Sequence, residues 1–375
     1  MRKTGIVDLP LHVGKCPRWL FSLMRNLSGK IVEVIVNEYN EDEVLKRISD
    51  PYWFQALGCA IGFDWHSSGL TTTTTGALKE ALNKLNLGIY VAGGKGKTSG
   101  KAIDEIVNIG DKLNIGERGI NEMTRASKLC AKVDNALVQD GYKLYHHSFF
   151  LTRKNWAVIQ QGMNDSIYAR RYHWLSFNVK RFVSESHSGI VSDRINNNVF
   201  NLTAKEVEET RKISVELIKD NPKHLERYVN SRDKKGQTKL FQFGNFDRTK
   251  TFSMSSRHFP TVSANMKSLL KAYEQQPKDY EELTLVKGMG AKNLRALALI
   301  SHLVYGTEVS WEDPCKFSFA HGGKDGWPYP VSRDRPGESV EFLDSAIRKA
   351  RIGDKERFNA LKRLNSYYQG LLIKR

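Results

Sequence analysis

Cysteine, long apolar runs and acidic charge are all scarce in this chain of 375 residues. Its four cysteines include no CxxC pair, which excludes a disulfide framework and a zinc knuckle and favours reduced thiols in the cytoplasm. No apolar run reaches the length of about eighteen residues that a transmembrane helix needs. The first residues lack the apolar core of a secretory signal, and the chain shows no internal repeat.

The shortage of acidic residues leaves a strong positive charge. Lys and Arg number 58 against 41 Asp and Glu, a net charge of +17. With 40% hydrophobic and 26% charged residues, the composition is that of a globular protein, which excludes wholesale disorder. A basic excess of this size favours a polyanionic partner, with nucleic acid first and an anionic membrane surface second. We expect nucleic acid and no membrane.

The apolar pattern predicts an α+β fold with two domains. We expect residues 1–190 to form a mixed domain, because helical spacing there alternates with strand-like runs at 87–92, 142–151 and 155–163, of which the last two resemble a hairpin. The polar, turn-rich stretch 184–201 marks the predicted boundary. We expect residues 191–375 to form a mainly α-helical domain.

Two features of the predicted C-terminal domain favour DNA binding. The segment 278–306 predicts a helix, a turn in which Gly288 and Gly290 flank a Met, and a second helix opened by Lys292. Glycines let a backbone approach a phosphate closely, and free amides at a helix start bind its oxygens. The basic tail 345–375 would hold the duplex. An ordinary antiparallel helix pair with a glycine turn is the alternative.

This segment resembles the helix-hairpin-helix module of DNA-repair and recombination proteins, whose usual pattern is L-x-G-[hydrophobic]-G-x-K. Bifunctional glycosylases of that superfamily use a Lys just after the hairpin as an amine nucleophile and an Asp after the second helix. The resemblance gives these roles to Lys292 and Asp313. Glu308 and Glu312 compete with Asp313, because the second helix is a turn longer than the pattern. A phosphate contact is the alternative role for Lys292.

Several strings spread along the chain resemble a single family. They are PLHVGKCPRWLF, GFDWHSSG, YVAGGKGK, AKVDNALVQDGY, WAVIQQGMN, ARRYHWLS and FSFAHGGKDGWPYPV. Together they resemble the mainly archaeal domain-of-unknown-function 763 family over nearly the whole chain. The resemblance implies a common fold, a thermophilic and cytosolic setting, and base-excision repair of oxidised pyrimidines.

A loop rich in Gly and Lys follows the first predicted strand, at 93–100. A P-loop needs a Gly five residues before Gly96, and Val91 stands there, so the loop is too short to wrap a triphosphate. We expect Lys95 and Lys97, with the neighbouring Lys101, to contact a DNA backbone instead.

Two clusters of acidic and hydroxyl side chains are candidate catalytic sites. Asp64 and His66 lie in a hydroxyl-rich stretch and could be acid–base partners, whereas Thr75 could simply cap the following helix. Asp140, with Asp134 and a nearby histidine, could hold Mg²⁺ or Mn²⁺ for phosphodiester hydrolysis. No nuclease spacing motif supports that cluster, and structural roles are the alternative.

The segment 160–181 interleaves basic, aromatic and amide side chains. Basic groups can follow phosphates, aromatic rings can stack on an extruded base, and amides can read its pairing edge. A helix with an aromatic core stripe and a solvated basic face is the alternative. The candidates for DNA binding are Gln160, Gln161, Asn164, Arg170, Arg171, Tyr172 and Trp174.

A loop after the hairpin segment, at 319–330, supplies a second candidate nucleophile. Lys324 could act as an amine nucleophile there, with Asp325 as its base. A rigid structural loop is the alternative.

These patterns together predict a DNA-repair enzyme, a DNA glycosylase with abasic-site lyase activity. Its substrate would be double-stranded DNA whose damaged base is flipped into a pocket between the domains. Lys292 first, or Lys324 second, would attack the sugar with help from Asp313. We expect no small-molecule cofactor and no metal. One alternative is an endonuclease that needs Mg²⁺ or Mn²⁺, and another is a non-catalytic DNA-binding protein.

Overall fold

A five-stranded antiparallel sheet with strand order β1-β3-β4-β5-β6 forms the centre of the molecule. The computed structural model describes residues 16–63, 69–165, 168–192, 196, 199–227, 264–315 and 335–373. The strands are β1 (Tyr90–Lys95), β2 (Val138–Gln139), β3 (Lys143–Leu151), β4 (Trp156–Met163), β5 (Ala169–Leu175), β6 (His187–Ser192) and β7 (Phe200–Asn201). A small second sheet pairs β2 with β7.

Helices surround the sheet, which confirms the predicted α+β class. The first six are α1 (Arg18–Glu38), α2 (Glu41–Ser49), α3 (Pro51–Ala60), α4 (Gly69–Leu85), α5 (Ala102–Lys112) and α6 (Glu117–Lys132). The others are α7 (Glu208–Lys219), α8 (Met266–Gln275), α9 (Tyr280–Leu285), α10 (Ala291–Tyr305), α11 (Arg335–Lys349) and α12 (Asp354–Ile373). None of these helices is long and apolar enough to cross a membrane.

Local capping explains where α3 begins, whereas α4 begins before its predicted cap. Asp50 caps α3 by accepting a hydrogen bond from the amide of Tyr52 at 2.8 Å, and Pro51 occupies the first helical position. The prediction that Thr75 caps α4 is wrong, because α4 already begins at Gly69. The Thr75 hydroxyl instead donates to the carbonyl of Thr71, at 2.8 Å, within the helix.

Both faces of the sheet are buried, because alternate side chains of each strand meet a layer of helices. Val91, Phe150 and Ile159 lie on what we call the first face, in a core shared with α1 to α4, α11 and α12. Phe149 and Val158 lie on the opposite, second face, in a core shared with α5 to α10. A sheet covered on both sides leaves its polar side chains enclosed as well.

The predicted boundary near residue 190 falls within β6. Leu343 and Ile347 of α11 and Leu364 of α12 belong to the first core, although they come from the far end of the chain. The Nζ atom of Lys349 adds an ion pair with Glu38 of α1 at 2.7 Å. Segments from both sides of the predicted boundary therefore share one core.

Two segments differ in detail from their sequence-based predictions. The strand expected at 87–92 begins three residues later and runs through the glycines as β1. Residues 169–175, for which a helix was one alternative, form β5. Their side chains alternate between faces, so Arg170, Tyr172 and Trp174 share the second face while Arg171 and His173 lie on the first.

Gly93 provides a test of how closely β1 packs on β3. Its φ of +83° lies in the region that favours glycine, and a Cβ atom there would lie 2.2 Å from the carbonyl oxygen of His147. Since a positive φ alone costs an L-residue about 1–2 kcal/mol, we expect Gly93→Ala to lower the free energy of unfolding by about 2 kcal/mol or more. Urea denaturation measures this loss.

Gly100→Ala is the matched control for this substitution, because no non-adjacent residue that the structure describes lies within 4 Å of its Cβ position. Equal urea midpoints for the two variants would contradict the tight packing of β1 on β3.

Candidate functional site

One end of the central sheet collects many of the predicted site residues. The pairings of Lys95 with His146, of His146 with Gln161 and of Gln161 with Arg171 place four polar side chains in one row. The row lies on the first face, where His146 Nε2 is 3.0 Å from the hydroxyl of Thr75 near the start of α4. We call this edge of the sheet, with the loops and helix starts around it, the basic end.

The glycine turn between α9 and α10 also lies at the basic end. Gln139, four residues before β3, donates from Nε2 to the carbonyl of Ala291 at 2.9 Å. Lys132, in the last turn of α6, donates from Nζ to the carbonyl of Met289 at 3.1 Å, and burial lowers its pKa. Because α10 begins at Ala291, its positive N-terminal end is fixed beside the sheet edge.

The turn itself has the backbone geometry that its glycines predict. Gly288 has a φ of +98°, and a Cβ atom there would come within 2.6 Å of the Ser268 hydroxyl. Asn293 closes the turn by donating from Nδ2 to the carbonyl of Gly288 at 2.8 Å. Gly290 is the N-cap of α10 and supplies no side chain to bond the first amides of that helix.

Positive charge flanks this uncapped helix start. The side chains of Lys287 and Lys292 are exposed on either side of the turn. Neither lysine forms an ion pair or side-chain hydrogen bond with any residue that the structure describes. A helix N-terminus and two unpaired ammonium groups together make a surface suited to a phosphate.

A buried ion cluster lies on the second face at the same end. Arg170 is fully buried and donates from Nη1 to Asp140 Oδ2 at 3.0 Å. The same guanidinium donates to both oxygens of Asp313, at 2.9 and 2.7 Å, and lies 4.7 Å over the Tyr142 ring. The Tyr172 hydroxyl donates to Asp140 at 2.7 Å. Breaking a buried pair of this kind costs about 3–5 kcal/mol.

Charge is unequal in this cluster, because one guanidinium faces two carboxylates. Burial raises the pKa of Asp140 to about 6, while Arg170 and the hydrogen bonds from Tyr172 and the Tyr142 amide oppose that rise. A proton on Asp140 would remove the excess negative charge. Asp140 is therefore the group through which this cluster responds to pH.

Asp313 uses both carboxylate oxygens for structural contacts. Besides Arg170, its Oδ1 accepts from the Cys315 amide at 2.9 Å and its Oδ2 from the Asn196 amide at 2.8 Å. In the described part of the chain, no hydrogen bond or ion pair joins Asp313 to Lys292. The structure brings Asp313 together with Asp140 and Arg170, and it does not assemble the predicted pair of amine and carboxylate.

A second buried carboxylate, Asp134, organises the rest of the second face. It lies in the π-helical turn Val133–Leu137 that follows α6. It accepts hydrogen bonds from Gln160 Nε2 and from Trp174 Nε1, the latter at 3.0 Å, and contacts His187 Nε2 at 2.5 Å. Gln160 and Trp174, predicted to read and stack on a base, are fully buried and bonded to this carboxylate.

The bonds of Gln160 fix the tautomer of His147. Because the Gln160 amide nitrogen faces Asp134, its Oε1 accepts from His147 Nδ1 at 2.8 Å. His147 Nε2 then accepts a hydrogen bond from the Ser127 hydroxyl, which lies 2.8 Å away. Sequence analysis missed Ser127, since one serine within the α6 pattern carries no signal of its partner on β3.

On the first face, Arg171 is buried against polar side chains and an aromatic ring. It donates to His173 Nε2 at 2.8 Å and to Gln55 Oε1 at 3.1 Å, and its guanidinium lies 4.8 Å from the Phe54 ring centroid. Burial lowers the pKa of His146, in the same row, to about 3. The predicted phosphate contact of Arg171 would therefore require these neighbours to open.

The remaining amide candidates form the turn and edge beside this row. Gln161 donates to the hydroxyl of Tyr145, and Asn164 Oδ1 accepts from the Tyr168 amide at 2.8 Å, between β4 and β5. Both are at the basic end, where Gln161 is buried and Asn164 is partly exposed.

Three predicted catalytic residues, Asp64, His66 and Lys324, lie outside the described residues. Among those described, no group of three or more His, Cys, Asp or Glu side chains could hold a metal ion. Asp134 and Asp140, the pair considered for a metal, instead accept hydrogen bonds from different partners, Trp174 and Tyr172.

Comparison with known proteins gives one match. The family described as Protein of unknown function (DUF763) matches residues 5–331, which include the sheet, the ion cluster and the glycine turn. The chain belongs to the DUF763 family. No curated protein and no solved structure matches it.

The ion cluster of the DUF763 protein predicts a pH dependence of stability. The folded-state pKa of Asp140, about 6, lies above the ordinary 3.8. The folded protein therefore binds this proton more tightly than the unfolded chain does. The resulting stability is complete below about pH 4 and is lost as the pH rises through about 6.

Comparing the wild type with Asp140→Asn isolates this effect. We expect the free energy of unfolding of the wild type, minus that of the variant, to fall between about pH 4 and 7, by at most about 1.4 kcal/mol per pH unit. Urea denaturation across that range measures the difference. Asp165→Asn, at a carboxylate that is 96% exposed, is the control. A difference that stays constant or rises would contradict the pKa assigned to Asp140.

Proposed function

We propose that this protein binds the sugar–phosphate backbone of duplex DNA through its hairpin surface, meaning Lys287, Gly288, Gly290, Lys292 and the first turn of α10. The observation that supports this most is a helix N-terminus without a side-chain cap, behind an exposed glycine turn with an exposed lysine on each side. Backbone amides and lysines at such a position bind phosphate oxygens.

Rigidity of the hairpin surface supports the same proposal. The carbonyls of Met289 and Ala291 are held by Lys132 and Gln139, and that of Gly288 by Asn293. The amides that would meet a phosphate are thus fixed before DNA arrives, so binding loses little conformational freedom.

Binding of this kind is independent of DNA sequence. The amide and aromatic side chains Gln160, Tyr172 and Trp174 are buried and bonded to Asp134 or Asp140. The hairpin surface itself presents ammonium groups and backbone amides, which position a duplex without reading its bases.

Removing both hairpin lysines tests the proposal. Each lysine that meets a phosphate contributes about 0.9 to the slope of log K against log salt concentration. We expect Lys287→Ala/Lys292→Ala to weaken binding and reduce that slope by about 2. Fluorescence anisotropy with a labelled duplex of about two helical turns, about 20 base pairs, measures both.

Arg153→Ala/Lys154→Ala is the matched control. These exposed residues lie in the turn between β3 and β4, at the opposite end of the sheet, and the variant removes the same charge. If the hairpin variant and this control bind alike at every salt concentration, the hairpin surface does not hold DNA.

For the reaction that would follow DNA binding, base excision with lyase activity remains a proposal. Lys292 is an exposed amine on the proposed DNA-contact surface, and attack on a sugar C1′ requires an accessible amine of this kind. Asp313, its predicted partner, has both oxygens bonded to other groups. The geometry therefore favours a phosphate contact over a nucleophile for Lys292.

Borohydride trapping on abasic-site DNA in the presence of chelator separates these two roles. We expect no covalent adduct that depends on Lys292, because no carboxylate is bonded to its amine among the residues described. The comparison uses the wild type, Lys292→Ala and, as matched control, Lys287→Ala. An adduct with the wild type and Lys287→Ala that is lost in Lys292→Ala would contradict this expectation and establish amine catalysis.

A strand-cleavage assay tests the alternative that the protein is a metal-dependent endonuclease. The same duplex is incubated with Mg²⁺, Mn²⁺ or chelator, and cleavage that requires the metal would indicate a metal-dependent endonuclease. If an Asp140→Asn variant folds and still cleaves DNA, Asp140 is not a required metal ligand.

A further inference from the structure

The loop after β1 presents a second basic surface. Lys95, Lys97 and Lys101 all have exposed side chains, and the chain between them forms a 3-10 turn, Gly96–Lys101. No ion pair neutralises these lysines within the described residues. Asp104, exposed in the first turn of α5, is the nearest acid along the chain without a bonded cation. The loop therefore carries net positive charge at the surface.

The backbone of this loop is open to a close approach. Apart from the adjacent residues, no described part of the chain lies within 4 Å of the Cβ positions of Gly96 and Gly100. Gly96 has a φ of +59° and Gly94 one of +143°, so the chain turns sharply there. A phosphate could reach the backbone as well as the three ammonium groups.

The base of the loop is fixed by a neutralised acid. Glu105 accepts from the amide of Gly93 at 2.7 Å and from Lys79 Nζ at 2.5 Å, and Lys79 also donates to the Gly93 carbonyl at 2.7 Å. The negative charge of Glu105 is thus paired with Lys79 and held at the root of the loop. This leaves the three exposed lysines available to an external anion.

Chain connectivity places this loop and the hairpin surface at the same end of the molecule. The loop begins where β1 ends, opposite His146 near the start of β3. The hairpin is bonded to Gln139, four residues before the start of β3, and to Lys132 at the end of α6, which packs on the second face. Both basic surfaces therefore border one edge of the sheet, the basic end.

From this juxtaposition we infer that Lys95, Lys97 and Lys101 form a second phosphate contact, which holds the same DNA duplex as the hairpin surface. The inference rests on the proposed function and extends it from one contact to two. The basic end is then a single footprint across which one duplex lies. Its ligand is the phosphodiester backbone, with no preference for base sequence.

Salt titration of four variants tests the second contact. The loop variant is Lys95→Ala/Lys97→Ala/Lys101→Ala, and the hairpin variant is Lys287→Ala/Lys292→Ala. The combined variant carries both sets, and Lys84→Ala/Arg153→Ala/Lys154→Ala, at exposed positions at the opposite end, is the control. Each is titrated by anisotropy on the duplex of about 20 base pairs.

We expect the loop variant to lose about 2–3 from the slope of log K against log salt, since up to three phosphate contacts disappear. The losses of the loop and hairpin variants should add in the combined variant, and the control should match the wild type. A loop variant with the wild-type slope, beside a hairpin variant that loses slope, would overturn the second contact and leave the proposed function standing. The reverse pattern would contradict the hairpin proposal instead.

Two further measurements decide whether one duplex makes both contacts. At saturation the wild type should bind one duplex per chain, and energy transfer between separately labelled duplexes should be absent. Transfer that the loop variant abolishes would show bridging of two duplexes and overturn the single footprint. Reductive methylation read by mass spectrometry should show Lys97 and Lys292 protected by the duplex, with Lys84 and Lys154 unprotected.

Discussion

A single buried guanidinium, that of Arg170, joins the sheet to the segment that follows the hairpin. Asp140 comes from the approach to β3, and Asp313 lies 143 residues beyond Arg170 in the chain. A charge with no exposed surface must be paired, since desolvating it alone would cost several kcal/mol. The backbone bridge between Asn201 and Ser310 reinforces the same connection. The position of α10 relative to the sheet thus depends on an interaction that leaves no charge at the surface.

Antiparallel connectivity explains why the basic loop after β1 and the hairpin surface lie at the same end of the sheet. Each β-strand reverses the chain, so the end of β1 and the start of β3 meet, and the helices entered from that edge begin there. The N-terminal half of α4 contacts β3 through Thr75 and His146, and the start of α10 contacts the segment before β3 through Ala291 and Gln139. A helix N-terminus carries partial positive charge, so the dipole of α10 and the lysines both contribute positive potential at the basic end. No local sequence motif encodes this combined positive potential.

Sequence reasoning predicted elements and exposed loops better than it predicted the roles of polar residues. The strands at 142–163 and the glycine turn near 288 follow from alternation and from glycine spacing, which are local properties. Interleaved basic, aromatic and amide residues suggested DNA contacts for Arg170 and Trp174, or else a helix, whereas both side chains are buried in β5. Partners such as Asp313 and Asp134 lie far away in the sequence. Burial is a tertiary property, and periodicity alone did not distinguish these two roles.

The packing of α11 and α12 on the first core limits how the protein can be trimmed. The family match ends at residue 331, before α11 begins at Arg335. A chain shortened to the matched residues would lose Leu343, Ile347 and Leu364 from a core that also holds α3, and would uncover their apolar neighbours. Newly exposed apolar surface of that kind promotes aggregation. If such a shortened protein failed to bind DNA, the cause could be aggregation and not the loss of a DNA contact. The family match therefore ends before the folding unit does.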